Sequence, residues 1–354
     1  MENKIIYVLH KSGANSHYTG LEEFCQQNGY EVRYREFSVE STLFKSILKF
    51  NFKLFRKQLV NAKFLKSLPQ NKNWKVVLGI APYDYKLPGL LKKLENHQVY
   101  YHTSWTNWDG SFVPNTKHQT PELTEVWKEF IEKKSQHIFA VSSKTKDELL
   151  KNYELSPEKI SVVYHSLNSK HFNSNKSQQS SESTLEFMYA GRLIPSKGLN
   201  ELLKFFAENP DKNLKIAGKG KLKSLVEQYA QKHSNIQFLG QISNPDELAK
   251  QFGQSHYLVL NSKKSGKWEE LFGMVLIEAM ACGAIPIATL HTGPKEIIEH
   301  NNSGYLVEEN QMIEFLSNLT PKSYSVEIKN NAIKAAKEYE LEKISQRWKA
   351  ILED

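Results

Sequence analysis

The sequence predicts an α/β protein built from two doubly wound parallel-sheet domains that face each other across a cleft. Three observations carry that expectation. Short β-branched runs alternate with longer amphipathic ones through residues 4–166, and the alternation restarts at residue 185. Strand–helix alternation of this kind folds into parallel sheets covered by helices. Between the two series lies NSNKSQQSSES (173–183), rich in Ser, Gln and Asn, aperiodic and without a large apolar residue. Finally, 354 residues exceed what one hydrophobic core ordinarily serves.

The elements follow in order. KIIYVLH (4–10) reads as a buried strand, KSGANS as a polar turn, and HYTGLEEFCQQNG as an amphipathic helix closed by Gly29. YEVRYREF (30–37), KVVLGI (75–80), QVYYHTS (98–104), HIFAVS (137–142) and ISVVYHS (160–166) are the next strands. Beyond the break come strands at LEFMYAG (185–191), NLKIAG, IQFLG, HYLVLN and IPIAT, separated by helical segments that include GMVLIEAMACG. The closing stretch, SYSVEIKNNAIKAAKEYELEKISQRWKAILED, mixes apolar spacings of three and four and is expected to break and return to the first domain. The expected organisation is a Rossmann-like domain over 1–172, an exposed linker over 173–184, a second Rossmann-like domain over 185–335, and a returning helix over 336–354. Open α/β sheets bind ligands beyond the carboxyl ends of their strands.

Composition excludes several classes. With 40% apolar and 24% charged residues the chain reads as globular, and no run reaches the ~18 apolar residues of a membrane span. The start, MENKIIYVLH, lacks the pattern of a signal peptide. Cys25 and Cys282 have no partners at metal-ligand spacing, so a reduced, cytoplasmic protein without disulfides is expected. Of 47 basic and 39 acidic residues, 16 and 8 fall in the first hundred positions, leaving 31 of each in the remainder. The basic surplus therefore belongs to the first domain and implies an anionic partner. Nucleic acid is disfavoured, because no zinc knuckle, RNP-like run or basic recognition helix is present. A nicotinamide oxidoreductase is disfavoured because the first βα turn, HKSGANSHYTG, lacks G-x-G-x-x-G.

Two segments of the second half carry chemistry. In EELFGMVLIEAMACG (269–283), Gly273 begins a helix whose first N–H groups have no partners within it. Those donors and the helix dipole favour an anion such as a phosphate. Glu278, one and a half turns in, suits a vicinal diol such as a ribose, and Glu270, before the helix, suits sugar hydroxyls. An amphipathic helix with a charged first turn describes the same residues equally well. In GRLIPSKG (191–198), Arg192 and Lys197 flank a turn at a strand end, as a diphosphate requires; two solvated surface cations are the other reading.

Taken together, these motifs resemble retaining glycosyltransferases of the GT-B fold, in the large family 4 that includes many bacterial lipopolysaccharide and capsule sugar transferases. Over residues 185–307, FMYAGRLIPSKG, IAGKGKLKSLVE, IQFLGQI, ELFGMVLIEAMACGAIPIAT and TGPKEIIEHNNSGYLV resemble five family motifs in the family's order. The likeness over 1–172 is looser. YHSLN (164–168) stands where Pro-Asn-Gly-Val-Asp is usual, and the family's paired glycines after the first strand reduce to Gly13.

The resemblance implies roles for residues at matching positions. Arg192 and Lys197 would hold the diphosphate, Glu278 the ribose, and Glu270 the donor sugar. The backbone of Phe272, Gly273, Met274 and Val275 would face sugar and phosphate. The base would lie near Leu239 and Gly240, Gly13 would close over the phosphate, and His102, otherwise readable as a structural histidine, would lie near the transferred sugar. The leaving diphosphate would accept the acceptor's proton, so Glu270 is not expected to be a nucleophile. No Asp-x-Asp occurs, and neither a metal nor a cofactor besides the nucleotide sugar is expected. The expected donor is a UDP-sugar, with GDP open. The expected acceptor is a glycan or lipid-linked glycan of bacterial surface polysaccharide. A sugar-nucleotide epimerase or a soluble-acceptor transferase of the same fold is the alternative.

Residues 41–67, STLFKSILKFNFKLFRKQLVNAKFLKS, hold seven Lys/Arg and no acid, with five phenylalanines. They read as an interfacial amphipathic helix on anionic lipid, each basic residue contributing ~1 kcal/mol, or as a packed helix with a solvated basic face. The first reading makes the protein peripheral on the inner face of the cell membrane. Trp105 and Trp108 in HTSWTNWDGSF (102–112) are expected either to wall an acceptor or to pack in the core.

Overall fold

A computed structural model describes residues 4–11, 17–48, 50–113, 118–178, 183–266 and 268–353. The chain divides into two units, Met1–Ser166 with Glu342–Asp354, and Leu167–Leu341.

The first unit holds a six-stranded parallel sheet of β1 (Lys4–His10), β2 (Tyr30–Glu36), β3 (Lys75–Gly79), β4 (Gln98–Thr103), β5 (Ile138–Ala140) and β6 (Ile160–Val162), in the order β2-β1-β3-β4-β5-β6. Strand β1 lies inside the sheet, between β2 and β3, and both of its faces are buried. Tyr7 and Leu9 enter one core with Val76, Leu78 and Trp127. Ile6 and Val8 enter the other with Val77, Tyr100 and Phe139. That second core is completed from the far end of the chain. After Val326–Ala336 the helix breaks at Lys337–Tyr339, and Trp348 packs at 4.4 Å from Phe139, between ring centroids.

One expectation for this unit changes, and one stated pair of alternatives is decided for Trp108. Residues 41–67 form no single helix. The structure has helices Val39–Leu48 and Phe52–Ser67, broken where Phe50 takes φ 49° and the Asn51 side chain accepts the Leu54 N–H at 3.0 Å to start the second. Trp108 is core, not an acceptor wall: it is 2% exposed against Tyr83, Tyr101 and Tyr153. Trp105 is half-buried and stacks on Phe112 at 5.3 Å.

The second unit holds β7 (Leu185–Arg192), β8 (Lys212–Lys219), β9 (Ile236–Gly240), β10 (Tyr257–Leu260), β11 (Ile285–Thr289) and β12 (Tyr305–Val307), in the order β12-β11-β10-β7-β8-β9. The chain winds outward in one direction from β7 and in the other from β10. The switch point, where a crevice opens at the strand carboxyl ends, therefore lies between these two strands. The Ser/Gln/Asn-rich run leaves Ser174, Asn175 and Gln178 exposed and has local order as well. Ser174–Lys176 forms a turn capped by Asn173, and the Gln178 N–H donates to the Gly253 carbonyl at 2.7 Å. Short polar side chains close such turns on their own backbone, which frees the segment to lie against the helix Pro245–Gly253. Residues 179–182 lie outside the described residues.

The return of the chain end predicts a stability effect. Trp348→Ala empties a buried aromatic site and should cost the first unit about 3–5 kcal/mol. Calorimetry or urea unfolding should show one unit melting earlier, and an unchanged profile would mean that the contact is dispensable.

Candidate functional site

The loop after β7 is pressed against the loop after β10. Gly198, at φ 62°, closes the turn Pro195–Lys197, and a Cβ there would lie 2.1 Å from the Asn261 carbonyl oxygen. Only glycine permits that approach. The Lys263 N–H then donates to the Ser196 carbonyl at 2.8 Å, linking the two loops. As a result Lys197, 7% exposed, makes a short ion pair with the Glu270 carboxylate. The Ser262 hydroxyl donates to the same Glu270 oxygen at 3.0 Å. The Lys197 ammonium also lies 5.2 Å from the Trp268 ring centroid. Arg192, at the end of β7, stays exposed. Burial pushes the neighbouring Tyr189 hydroxyl up, Glu270 adds to that and Arg192 opposes it, so both charges act on one phenol. That hydroxyl donates to the Arg192 carbonyl at 2.7 Å.

The helix Met274–Ala281 starts in the same loop. Gly273 takes φ 96°, a left-handed entry that turns the chain from Phe272 into the helix. Phe272 is buried and its ring lies 5.9 Å from that of Tyr339, while Gly273, Met274 and Val275 are half-buried. The first N–H groups of this helix have no acceptor within it. Half-buried Glu278 follows, and burial alone pushes its carboxyl up to about 7.

Several residues of this site were not expected. His291, 1% exposed, accepts the Glu270 N–H at Nδ1 (3.1 Å) and meets Glu309 Oε1 through Nε2 (2.8 Å). A backbone N–H only donates, so Nε2 carries the ring hydrogen and donates to Glu309. Burial pushes the Glu309 carboxyl up, but the Lys264 N–H, His291 and Lys263 outweigh it and hold it below the usual range. Glu269 accepts the Thr292 N–H and hydroxyl at 3.1 and 2.8 Å. The Gly293 N–H donates to the Glu270 carbonyl at 2.9 Å. Glu270 is thus held at both backbone groups by the loop after β11. His291 lies 21 positions from Glu270, and only the adjacency of β10 and β11 unites them. No local spacing signals it.

The remaining expected residues are more dispersed. Leu239 and Gly240 end β9, across β8 from β7 at the same carboxyl edge, and Gly240 has open space on its side-chain side. His102 belongs to the first unit, where it ends β4 between the rings of Tyr18 (4.8 Å) and Trp348 (5.4 Å). It lines a cavity of about 290 Å³ with His10, His17 and Gly79. Burial, then the charges of His165, His17 and His10, hold it well below the usual imidazole range. Gly13 lies outside the described residues. A larger hollow of the second unit, about 840 Å³ beside Glu186, Asn213 and Asn235, contains none of the site residues.

Two measurements probe this geometry. Burial pushes the Glu278 carboxyl in the folded protein up to about 7, from 4.5 for the same group in water. The folded state therefore holds the extra proton between those values, and the cost to stability is absent below about pH 4.5 and complete above about pH 7. Glu278→Gln should raise the unfolding midpoint of the ligand-free protein at pH 8 and leave it unchanged at pH 4, as read by thermal melts. At His291, Asn can still offer an acceptor at the Nδ1 position, whereas Ala cannot. His291→Asn should retain most affinity for whatever ligand Glu270 contacts, and His291→Ala should lose about tenfold, the worth of one hydrogen bond. Equal losses would deny His291 a positioning role.

Residues 170–338 match the family model described as Glycosyl transferases group 1. An uncharacterized glycosyltransferase of Methanocaldococcus jannaschii is 32% identical over 179 residues, covering 50% of this chain and 46% of that protein. The chain spans about half the length of the curated relatives it matches. Among solved structures, the lipopolysaccharide outer core galactosyltransferase WaaB aligns with a TM-score of 0.67 at 18% identity, covering 99% of both chains. HepE from Anabaena in complex with UDP-glucose aligns with a TM-score of 0.65 at 16% identity, covering 99% of this chain and 98% of that one. The chain has a two-domain α/β GT-B fold, and its second unit carries the sequence pattern of the glycosyl transferases group 1.

Proposed function

We propose that this chain is a metal-independent, retaining glycosyltransferase that moves a hexose-type sugar from a nucleotide diphosphate sugar to a glycan or glycolipid acceptor. One observation carries the reading. At the switch point of the second unit, one loop pair carries a buried lysine–carboxylate pair and a helix start, and that helix carries a carboxylate raised by burial. In the free protein Lys197 is neutralised by Glu270. A diphosphate at the start of Met274–Ala281 competes for that ammonium, with Arg192 as the second cation. Glu270, released from Lys197 but held through its backbone, then accepts from sugar hydroxyls. Glu278 accepts from the ribose.

In the transfer step the bond from the anomeric carbon to the phosphate oxygen breaks, and a bond to the acceptor oxygen forms on the same face. The acceptor's proton passes to the departing diphosphate, whose charge Lys197, Arg192 and the helix N–H groups stabilise. The two cations meet the charge that a metal would otherwise meet, and no further cofactor is invoked. His102, from the first unit, is the candidate contact to the transferred sugar. UDP is the favoured nucleotide, supported by the UDP-glucose held by HepE. A role in bacterial surface polysaccharide synthesis is supported by the likeness to WaaB. No described helix is long and apolar enough to cross a membrane. The protein is proposed to be cytoplasmic and to work as a peripheral protein on the inner face of the cell membrane.

The test is incubation with UDP- and GDP-sugars, with and without lipid-linked acceptor. The measured quantities are nucleotide release and, by NMR, the anomeric configuration of the product. Transfer with retention is expected from one donor. Lys197→Ala and Glu270→Ala should each lower turnover on the order of 10²–10³-fold. Undiminished transfer by Glu270→Ala overturns the site, and isomerisation of the donor without nucleotide release points to an epimerase instead.

A further inference from the structure

Seven of the ten exposed large hydrophobic side chains among the described residues lie between Phe44 and Val60. All belong to the hairpin of helices Val39–Leu48 and Phe52–Ser67. The exposure peaks at its turn, with Phe50 at 84% and Phe52 at 76%.

The second helix buries two polar residues and leaves apolar ones outside. Its buried residues are Gln58, Asn61 and Phe64, while Leu59 and Val60 face solvent. The cause lies beneath it. Glu36, at the end of β2 and 6% exposed, accepts from Lys57 Nζ and Gln58 Nε2 on its two carboxylate oxygens, each at 2.6 Å. The Glu36 N–H donates to Asn61 Oδ1 at 3.2 Å. A buried carboxylate requires donors, so Gln58 and Asn61 take inward positions beside Phe64, and Leu59 and Val60 are left on the outer face. An apolar surface held outward in this way marks a binding face.

The charge on the same segment selects the occupant. Residues 41–67 hold seven basic residues and no acid, and Lys53, Arg56 and Lys63 are exposed on the second helix. A second copy would bring the same cations against these, and protein interface cores are depleted in lysine. An anionic bilayer satisfies both features: apolar side chains enter the acyl boundary, and cations meet lipid phosphates.

We propose that the turn and outer face of this hairpin dock the first unit on an anionic membrane, with the Glu36 contacts holding the apolar face outward. This rests on the membrane part of the function proposed above and needs nothing from its transfer chemistry.

The test uses the full chain with sedimenting vesicles of phosphatidylcholine alone and of phosphatidylcholine with phosphatidylglycerol. Binding should favour the anionic vesicles by about tenfold or more and weaken at high salt. Phe50→Ser with Phe52→Ser should cut binding by about tenfold or more, while thermal melting and UDP binding stay unchanged because both side chains are exposed. Equal partitioning of variant and wild type, or absence of binding to anionic vesicles, overturns the proposal. So does a concentration-dependent dimer that the same variant abolishes, which assigns the face to a second copy. Lipid binding without any nucleotide release leaves this proposal standing and removes the transferase reading.

Discussion

The buried contact between Lys197 and Glu270 is the constraint around which the second unit's functional edge is arranged. Taking an ammonium and a carboxylate out of water costs several kcal/mol per ion, and mutual attraction recovers that only with good geometry and further hydrogen bonds. The structure supplies both. Ser262 donates to the carboxylate, Trp268 offers its ring face to the ammonium, and Gly198 allows the approach of two loops that any Cβ would block. Removing either charged partner strands the other, so the pair is stable yet sensitive to a competing anion. A ligand that brings its own negative charge to Lys197 changes the partner of Glu270 without exposing a buried charge to a void.

The same economy recurs in the backbone. Glu270 is tied by its N–H to His291 and by its carbonyl to Gly293, so both of its main-chain polar groups are satisfied without its side chain. Glu309 and Glu269 extend this support into the loop after β11. Glu278 stands apart as a half-buried carboxylate raised by burial alone. Such a group is a liability in a free protein and an asset in one whose ligand supplies hydroxyl donors.

In the first unit, buried polarity acts on a different scale. Glu36 draws Gln58 and Asn61 to the inner side of one helix, beside Phe64, while Leu59 and Val60 stay outside. His102 and its neighbouring histidines occupy the carboxyl edge of the sheet, where burial and mutual repulsion keep the imidazole uncharged. Neutral histidines there can donate and accept hydrogen bonds without adding a fixed charge.

Much of this was readable from the chain as written. Alternating strand and helix periods determined two parallel sheets, because a period is a local property that survives burial. Glycine and charge spacing within GRLIPSKG and ELFGMVLIEAMACG pointed to the helix start at Gly273, since a left-handed glycine before an apolar run is a local signal. What the sequence could not express was pairing across strands. His291 joins the site because β11 lies beside β10, and Glu309 because β12 lies beside β11. The orientation of Phe52–Ser67 was equally hidden: its pattern reads as an ordinary amphipathic helix until Glu36 is placed beneath it. Trp108 is core for the same reason, its ring partners Tyr83, Tyr101 and Tyr153 coming from three separate segments. Local composition determines elements and their punctuation; which polar group meets which is decided by the sheet order, because that alone brings distant residues within hydrogen-bonding reach.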